Sequence, residues 1–100
     1  MTYLVPPSGP GMLRVAKDVV NAMYDYRADD DYDWLLIGRI LFNIGLGSDD
    51  ALCMWIEFSK RSNKFKDGDC EQKWGEMYPN DRSICTLKLM SYLDAYFSHP

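Results

Sequence analysis

Three tryptophans at helical spacing from other apolar residues limit this chain more than any other feature. They lie in Trp34-x-x-x-Gly38, in Leu52-x-x-Trp55-x-x-Phe58-Ser59-x-x-Ser62-x-x-Phe65 and in Cys70-x-x-x-Trp74. Steps of three and four residues place such side chains on one face of a helix. Tryptophan is highly buried on average. The three indoles are therefore expected at the centre of a helical body.

The rest of the chain reads the same way. Residues 1–10, with Pro6, Pro7, Gly9 and Pro10, form a linker or N-terminal arm. Met12, Val15, Ala16, Val19, Val20 and Met23 then predict an amphipathic helix over about 11–24. Asp30, with Asp33 three residues on, caps a second helix bearing Trp34, Ile37, Leu41 and Ile44, which Gly45 and Gly47 end. Ser48-Asp49-Asp50 caps a third helix, lined by Leu52, Trp55, Ile56 and Ser59. Asp67-Gly68-Asp69 is expected to cap a fourth, with Cys70, Trp74 and Met77 inward. A fifth starts near Ser83 or Ile84 and runs to about Phe97, with Leu89, Tyr92, Leu93 and Tyr96 as its apolar face.

No segment alternates with period two for long enough to predict a strand. The fold class is thus all-α, a compact bundle of about five short helices joined by short connections, with residues 11–98 as its domain. Gly38 falls inside a helix, where it costs about 1 kcal/mol relative to alanine. A close helix crossing over its missing side chain is expected to offset that.

At 100 residues and 11.6 kDa the chain fits one domain. Such a length buries roughly 65% of the surface that the unfolded chain exposes. No apolar run approaches the ~20 residues of a membrane span, and the first residues lack the basic start of a secretory signal. The three cysteines, Cys53, Cys70 and Cys85, form no CxxC pair. Each sits at an apolar-looking helical position, so all three are expected to be reduced core residues. That points to an intracellular, reducing compartment. One histidine, His99, is too few for a zinc site, and no cofactor is expected.

Charge is the feature with functional content. The net charge is −4, so the chain as a whole lacks the basic footprint of a DNA-coating protein. The charges are segregated, however. Asp25, Asp29, Asp30, Asp31 and Asp33 form an acidic block, and Lys60, Arg61, Lys64 and Lys66 a basic one. The basic segment can hold phosphates through its cations, with Ser59, Ser62 and Asn63 as hydrogen-bond partners. Phe65 either stacks on a base or anchors the segment in the core, the second being the commoner use of such a residue. Arg39 and Lys73 join this surface if their helices flank the segment. Tyr24, Tyr26 and Tyr32 surround the acidic block as a partner-binding edge or a half-buried loop.

Catalytic constellations are lacking. Asp29, Asp31 and Asp33 offer a D-x-D pattern, but in a cap rather than on the rigid strands that a two-metal polymerase site uses. No GxxxxGK[ST] loop is present. The fragment is not expected to be an enzyme alone.

Taken in order, Trp34-x-x-x-Gly38, Trp55-x-x-Phe58-Ser59, Phe65, Cys70-x-x-x-Trp74 and Thr86-Leu87 resemble the primase C-terminal domain type 2. The likeness covers about residues 12–97. This helical domain lies between the primase and helicase cores of primase-helicases from large DNA viruses, phages and plasmids. The pattern looks closest to the superfamily 3 helicase-primases of nucleocytoplasmic large DNA viruses. Two positions depart from it: Phe58, where another aromatic is frequent, and Cys85, where glycine is common.

The resemblance implies a fragment of a longer replication protein, with an archaeo-eukaryotic primase domain before it and a hexameric, ATP-binding helicase after it. It implies a viral setting in the host cytoplasm or nucleus. The implied role is weak binding and positioning of single-stranded DNA or nucleotide during primer initiation. Lys60, Arg61, Ser62, Lys64, Lys66, Arg39 and Lys73 are the candidate binding residues. The alternative is a spacer that docks on the adjacent primase and helicase domains, its acidic face meeting a basic partner, without touching nucleic acid.

Overall fold

The structure is a computed structural model that describes residues 9–80 and 82–97. Its central element is the helix Asp31–Ile44, the third of six: α1 (Pro10–Asn21), α2 (Tyr26–Asp29), α3 (Asp31–Ile44), α4 (Asp49–Ser59), α5 (Asp69–Gly75) and α6 (Ile84–Phe97). The all-α expectation holds, and α2 is a one-turn addition to it. Helix α3 packs on α1, α2, α4 and α6. It can do so because its stripe is wide: Ile37, Gly38, Ile40, Leu41 and Ile44 are all buried. Of the arm expected over residues 1–10, residues 1–8 lie outside the described residues, as does His99, and Pro10 already belongs to α1.

Local signals explain most helix ends. Pro10 stands in the first turn of α1, where its missing N–H is no loss. That helix stops at Asn21, not near 24, but Met23 beyond it is still buried. The Asp30 carboxylate accepts the Asp33 N–H at 2.9 Å and starts α3. The Ser48 hydroxyl accepts the Ala51 N–H and starts α4. Helix α5 begins differently from expectation. No side chain caps it, and Gly68 turns the chain at φ 92°, in the left-handed region that glycine enters without steric cost.

The three indoles meet as the sequence predicts, though not equally. Trp55 is fully buried, with its ring 4.7 Å from Trp34 and 5.9 Å from Trp74 between centroids. Phe42 meets Trp74 edge-on at 5.1 Å. Trp34 is only half-buried. Each indole N–H has an acceptor, as a buried ring nitrogen requires. Trp34 Nε1 donates to Ser59 Oγ at 2.7 Å, Trp55 Nε1 to the Trp34 carbonyl at 3.0 Å, and Trp74 Nε1 to the Gly47 carbonyl at 3.3 Å. Ser59 is the hub of this network. Its hydroxyl also donates to the Trp55 carbonyl at 2.6 Å and lies 3.1 Å from the Cys70 thiol.

Two expectations fail here. Cys70 is buried, but Cys53 and Cys85 are exposed, because each falls on the outer side of its helix. On α6 the inward residues are Ile84, Leu87, Met90 and Asp94, whereas Leu89, Tyr92 and Tyr96 face solvent. This helix carries apolar residues around most of its circumference, so period alone does not fix which face turns in.

Candidate nucleic-acid interface

The basic segment leaves α4 and runs back over the acidic block. Lys60 terminates α4, and its ammonium bonds Glu57 at 2.9 Å on the surface. That hydrogen bond raises the Lys60 pKa. Arg61 turns inward instead. Its Nε bonds Asp25 at 2.7 Å, its Nη1 donates to the Val20 carbonyl at 3.1 Å, and its Nη2 donates to the Met23 carbonyl. The guanidinium also lies 5.3 Å from the Phe58 ring centre. Arg61 therefore satisfies carbonyls at the end of α1, where a cation is favoured by the helix dipole.

The neighbours of Arg61 divide between fold and solvent. Ser62 is buried, and its hydroxyl accepts the Lys64 N–H at 3.0 Å. The Lys64 ammonium donates to the Asp29 carbonyl at 2.8 Å and lies 3.9 Å from Asp31. Phe65 is half-buried and packs against the core. Lys66 is exposed and has no ion-pair partner among the described residues. The two charge blocks thus meet each other within the molecule.

The acidic block has a second internal use that sequence reasoning missed. Asp94 of α6 is buried and pairs with Arg27 of α2, Nη2 to Oδ1, at 2.7 Å. It also accepts the Tyr26 hydroxyl at 2.8 Å and the Tyr24 N–H at 3.3 Å. Arg27 reaches Asp33 at 3.2 Å and the Met90 carbonyl at 3.2 Å. Burial disfavours the Asp94 carboxylate, but the hydrogen bonds from Arg27, Tyr26 and Tyr24 outweigh it and hold its pKa below the ordinary value. Sixty-seven residues separate Arg27 from Asp94, and no sequence period links them.

Arg39 and Lys73 do not join the 60–66 segment. They line a separate cleft of about 440 Å³ between α3 and the chain after α5, together with Arg82. The residues behind this cleft form a clamp. Asn43 Nδ2 donates to the Arg82 carbonyl at 2.8 Å, and Asn43 Oδ1 accepts the Asn80 N–H at 3.2 Å. Asn80 Oδ1 in turn accepts the Arg82 N–H at 2.8 Å, and Asn80 Nδ2 donates to the Arg39 carbonyl at 3.3 Å. Nothing in the sequence pattern links Asn80 to its partner Asn43 on α3. Arg14 and Lys17 lie elsewhere again, in a groove between α1 and α4 that Arg61 closes.

Asp30 is a helix cap and Asp33 an ion-pair partner of Arg27. Among the described residues, no group of three or more His, Cys, Asp or Glu converges as a metal site would. No helix among them is long and apolar enough to cross a membrane.

Comparison with known proteins agrees with the family resemblance of the sequence. The family model for Primase C terminal 2 (PriCT-2) matches residues 16–91. The helicase-named protein 121R of Invertebrate iridescent virus 3 is 36% identical over 84 residues, which are 84% of this chain and 9% of that protein. The helicase-named 184R of Invertebrate iridescent virus 6 is 41% identical over 61 residues, 58% of this chain and 6% of that protein. The helicase-named L207/L206 of Acanthamoeba polyphaga mimivirus is 35% identical over 82 residues, 79% of this chain and 8% of that protein. The chain therefore spans less than a tenth of the length of these curated relatives. No solved structure matches it.

Proposed function

Because the chain belongs to the primase C-terminal 2 (PriCT-2) family, we propose that it is an accessory domain of a viral-type DNA primase-helicase. In this role it holds single-stranded template or nucleotide for chemistry carried out elsewhere in a longer protein. Its contribution is orientation: holding a reactant in place removes part of the entropic barrier to the reaction. The primase and helicase activities belong to the rest of the parent chain.

One observation carries this reading. In a chain of net charge −4, Lys66, Arg39 and Lys73 stand exposed without a carboxylate partner among the described residues. Lys60, Ser62 and Lys64 stay in the candidate set with weaker claims, since each already has an internal partner. Arg61 contributes by shaping the segment rather than by meeting phosphate. The test is fluorescence anisotropy of a labelled single-stranded oligonucleotide at rising salt. Affinity should fall with a log–log slope of about −0.7 for each phosphate neutralised. No binding at low salt removes the proposal.

A second reading is favoured by α6. Leu89, Tyr92 and Tyr96 are each more than half exposed, with Tyr92 and Tyr96 stacked at 6.4 Å. This is a better docking face for an adjacent domain than the acidic block, where Asp25 and Asp33 already hold Arg61 and Arg27. Cross-linking to the flanking domains, with and without Leu89→Ser and Tyr92→Ser, separates the two readings.

A further inference from the structure

We propose that the cleft lined by Arg39, Lys73 and Arg82 is the seat of one or two nucleotides of single-stranded nucleic acid, with the Tyr78 ring against a base. The inference rests on the reading above that the domain handles nucleic acid, and gives it a location and a mode of recognition. That location differs from the 60–66 segment to which the charge pattern of the sequence pointed.

Charge is the first ground. Three cationic side chains line one cleft, and Glu76 is the one carboxylate lining it among the described residues. None of Arg39, Lys73 or Arg82 has an ion-pair partner among those residues. Arg27, Lys60, Arg61 and Lys64 are held by carboxylates, and the other cations without an ion pair among the described residues, Arg14, Lys17, Lys66 and Lys88, lie outside this cleft, which alone gathers three. Like charges gathered in a concave surface focus the field and concentrate an anion there. Two of the three are arginines, whose planar fork matches two phosphate oxygens at once.

Positioning is the second ground. Arg39 and Asn43 lie one turn apart on the same face of α3. Asn43 and Asn80 together hold Arg82 by both its N–H and its carbonyl. The backbone that carries Arg82 is therefore fixed against the helix that carries Arg39 before any ligand arrives. Preorganisation of this kind lowers the ordering cost of binding.

The third ground is the aromatic. Tyr78, 74% exposed as a residue, lines the cleft together with the apolar Leu35 and Met77. A ring beside cations is the arrangement by which single strands are held, base on ring and phosphate on cation, with little dependence on sequence. A base within a duplex has both faces covered, so the cleft favours single strands.

The experiment measures binding of a fluorescein-labelled oligothymidylate to the 100-residue chain by anisotropy, in low and moderate salt. Four variants are compared with wild type after far-UV circular dichroism confirms their helix content. Changing Arg39, Lys73 and Arg82 together to Gln is expected to weaken binding roughly tenfold or more and to flatten the salt slope by about two. Changing Arg14 and Lys17 together to Gln, which removes cations from the separate groove between α1 and α4, is expected to change affinity less than about twofold by the same counting of phosphate contacts. Tyr78→Ala is expected to weaken binding roughly fivefold, while Tyr78→Phe, which keeps the stacking face, matches wild type. If the cleft variant loses helix, Lys73→Gln and Arg82→Gln singly carry the comparison, each with a slope change of about 0.7. Unchanged affinity in the cleft variants, with wild type still binding, overturns the cleft and leaves the general function standing. Absence of binding by wild type overturns both.

Discussion

Gly38 and Trp55 touch backbone to ring where α3 crosses α4: a Cβ on Gly38 would overlap the six-membered ring of the indole. The neighbour there cannot swing aside. Trp55 is fully buried, stacked on Trp34, and its Nε1 is bonded to the Trp34 carbonyl.

Gly38→Ala should therefore destabilise the domain, although alanine favours helix by about 1 kcal/mol at an interior position. Overpacking of this kind costs about 1–3 kcal/mol net of such gains. Urea unfolding followed by tryptophan fluorescence measures it. A midpoint equal to or above that of wild type would mean that α3 and α4 do not cross at this residue.

Asp94 makes stability depend on acid. Its folded pKa is held below the ordinary value near 3.8. The unfolded chain therefore takes up the proton first, and stability is lost as pH falls through the folded value and is complete above about pH 5. In Asp94→Asn the Arg27 guanidinium keeps Asp33 but loses its buried counter-ion, at a cost of about 2 kcal/mol. Urea midpoints from pH 7 to pH 3 should show a lower plateau and a flatter acid limb for this variant. Parallel curves for the two proteins would contradict the assignment.

Arg61→Met separates architecture from binding. The change leaves the Val20 and Met23 carbonyls without their donor and is expected to cost about 1–2 kcal/mol. Oligonucleotide affinity should stay within about twofold of wild type, since one lost phosphate contact would alter the salt slope by about 0.7. A large loss of affinity at unchanged stability would return Arg61 to the interface.

Thiol accessibility checks the orientation of three helices at once. Cys53 and Cys85 are exposed, whereas Cys70 is buried and its pKa is raised, chiefly by that burial. A disulfide reagent should therefore modify two thiols quickly in the native protein and the third only as the domain unfolds. Rapid reaction of Cys70 would show that α5 does not seat it against Ser59.

Much of this was legible in the residues, and what was not has a common cause. The faces of α3 and α4 could be read because apolar and polar positions segregate there, and a helix crossing could be expected over Gly38, though not that Trp55 would fill the gap. Helix α6 defeated the same method. Leu89, Tyr92 and Tyr96 are as apolar as Ile84, Leu87 and Met90, so the pattern has a period but no phase. The single polar residue on its inner side, Asp94, was the true marker, and its meaning depends on Arg27, sixty-seven residues away. The basic segment was found, but its charges were counted as if the aspartates of the other block were elsewhere. Pairing between distant segments is what a linear pattern does not encode. The same limit separated Arg39 and Lys73 from Arg82.

The chain enters the bundle at one end of α3 and leaves it at the other. On the entry side the Gly9 N–H bonds the Ile44 carbonyl. On the exit side Asp94 is fastened to Arg27, which in turn holds Asp33. Asp33 and Ile44 stand eleven residues apart on α3, so the two attachment points are separated by about 16 Å along a single rod. Tension between the flanking parts of a longer protein would load that rod lengthwise and shear its contacts together, not peel them one at a time. Within the longer protein proposed above, such a domain would act as a strut, and movement on one side of it would reach the other with little lost to slack.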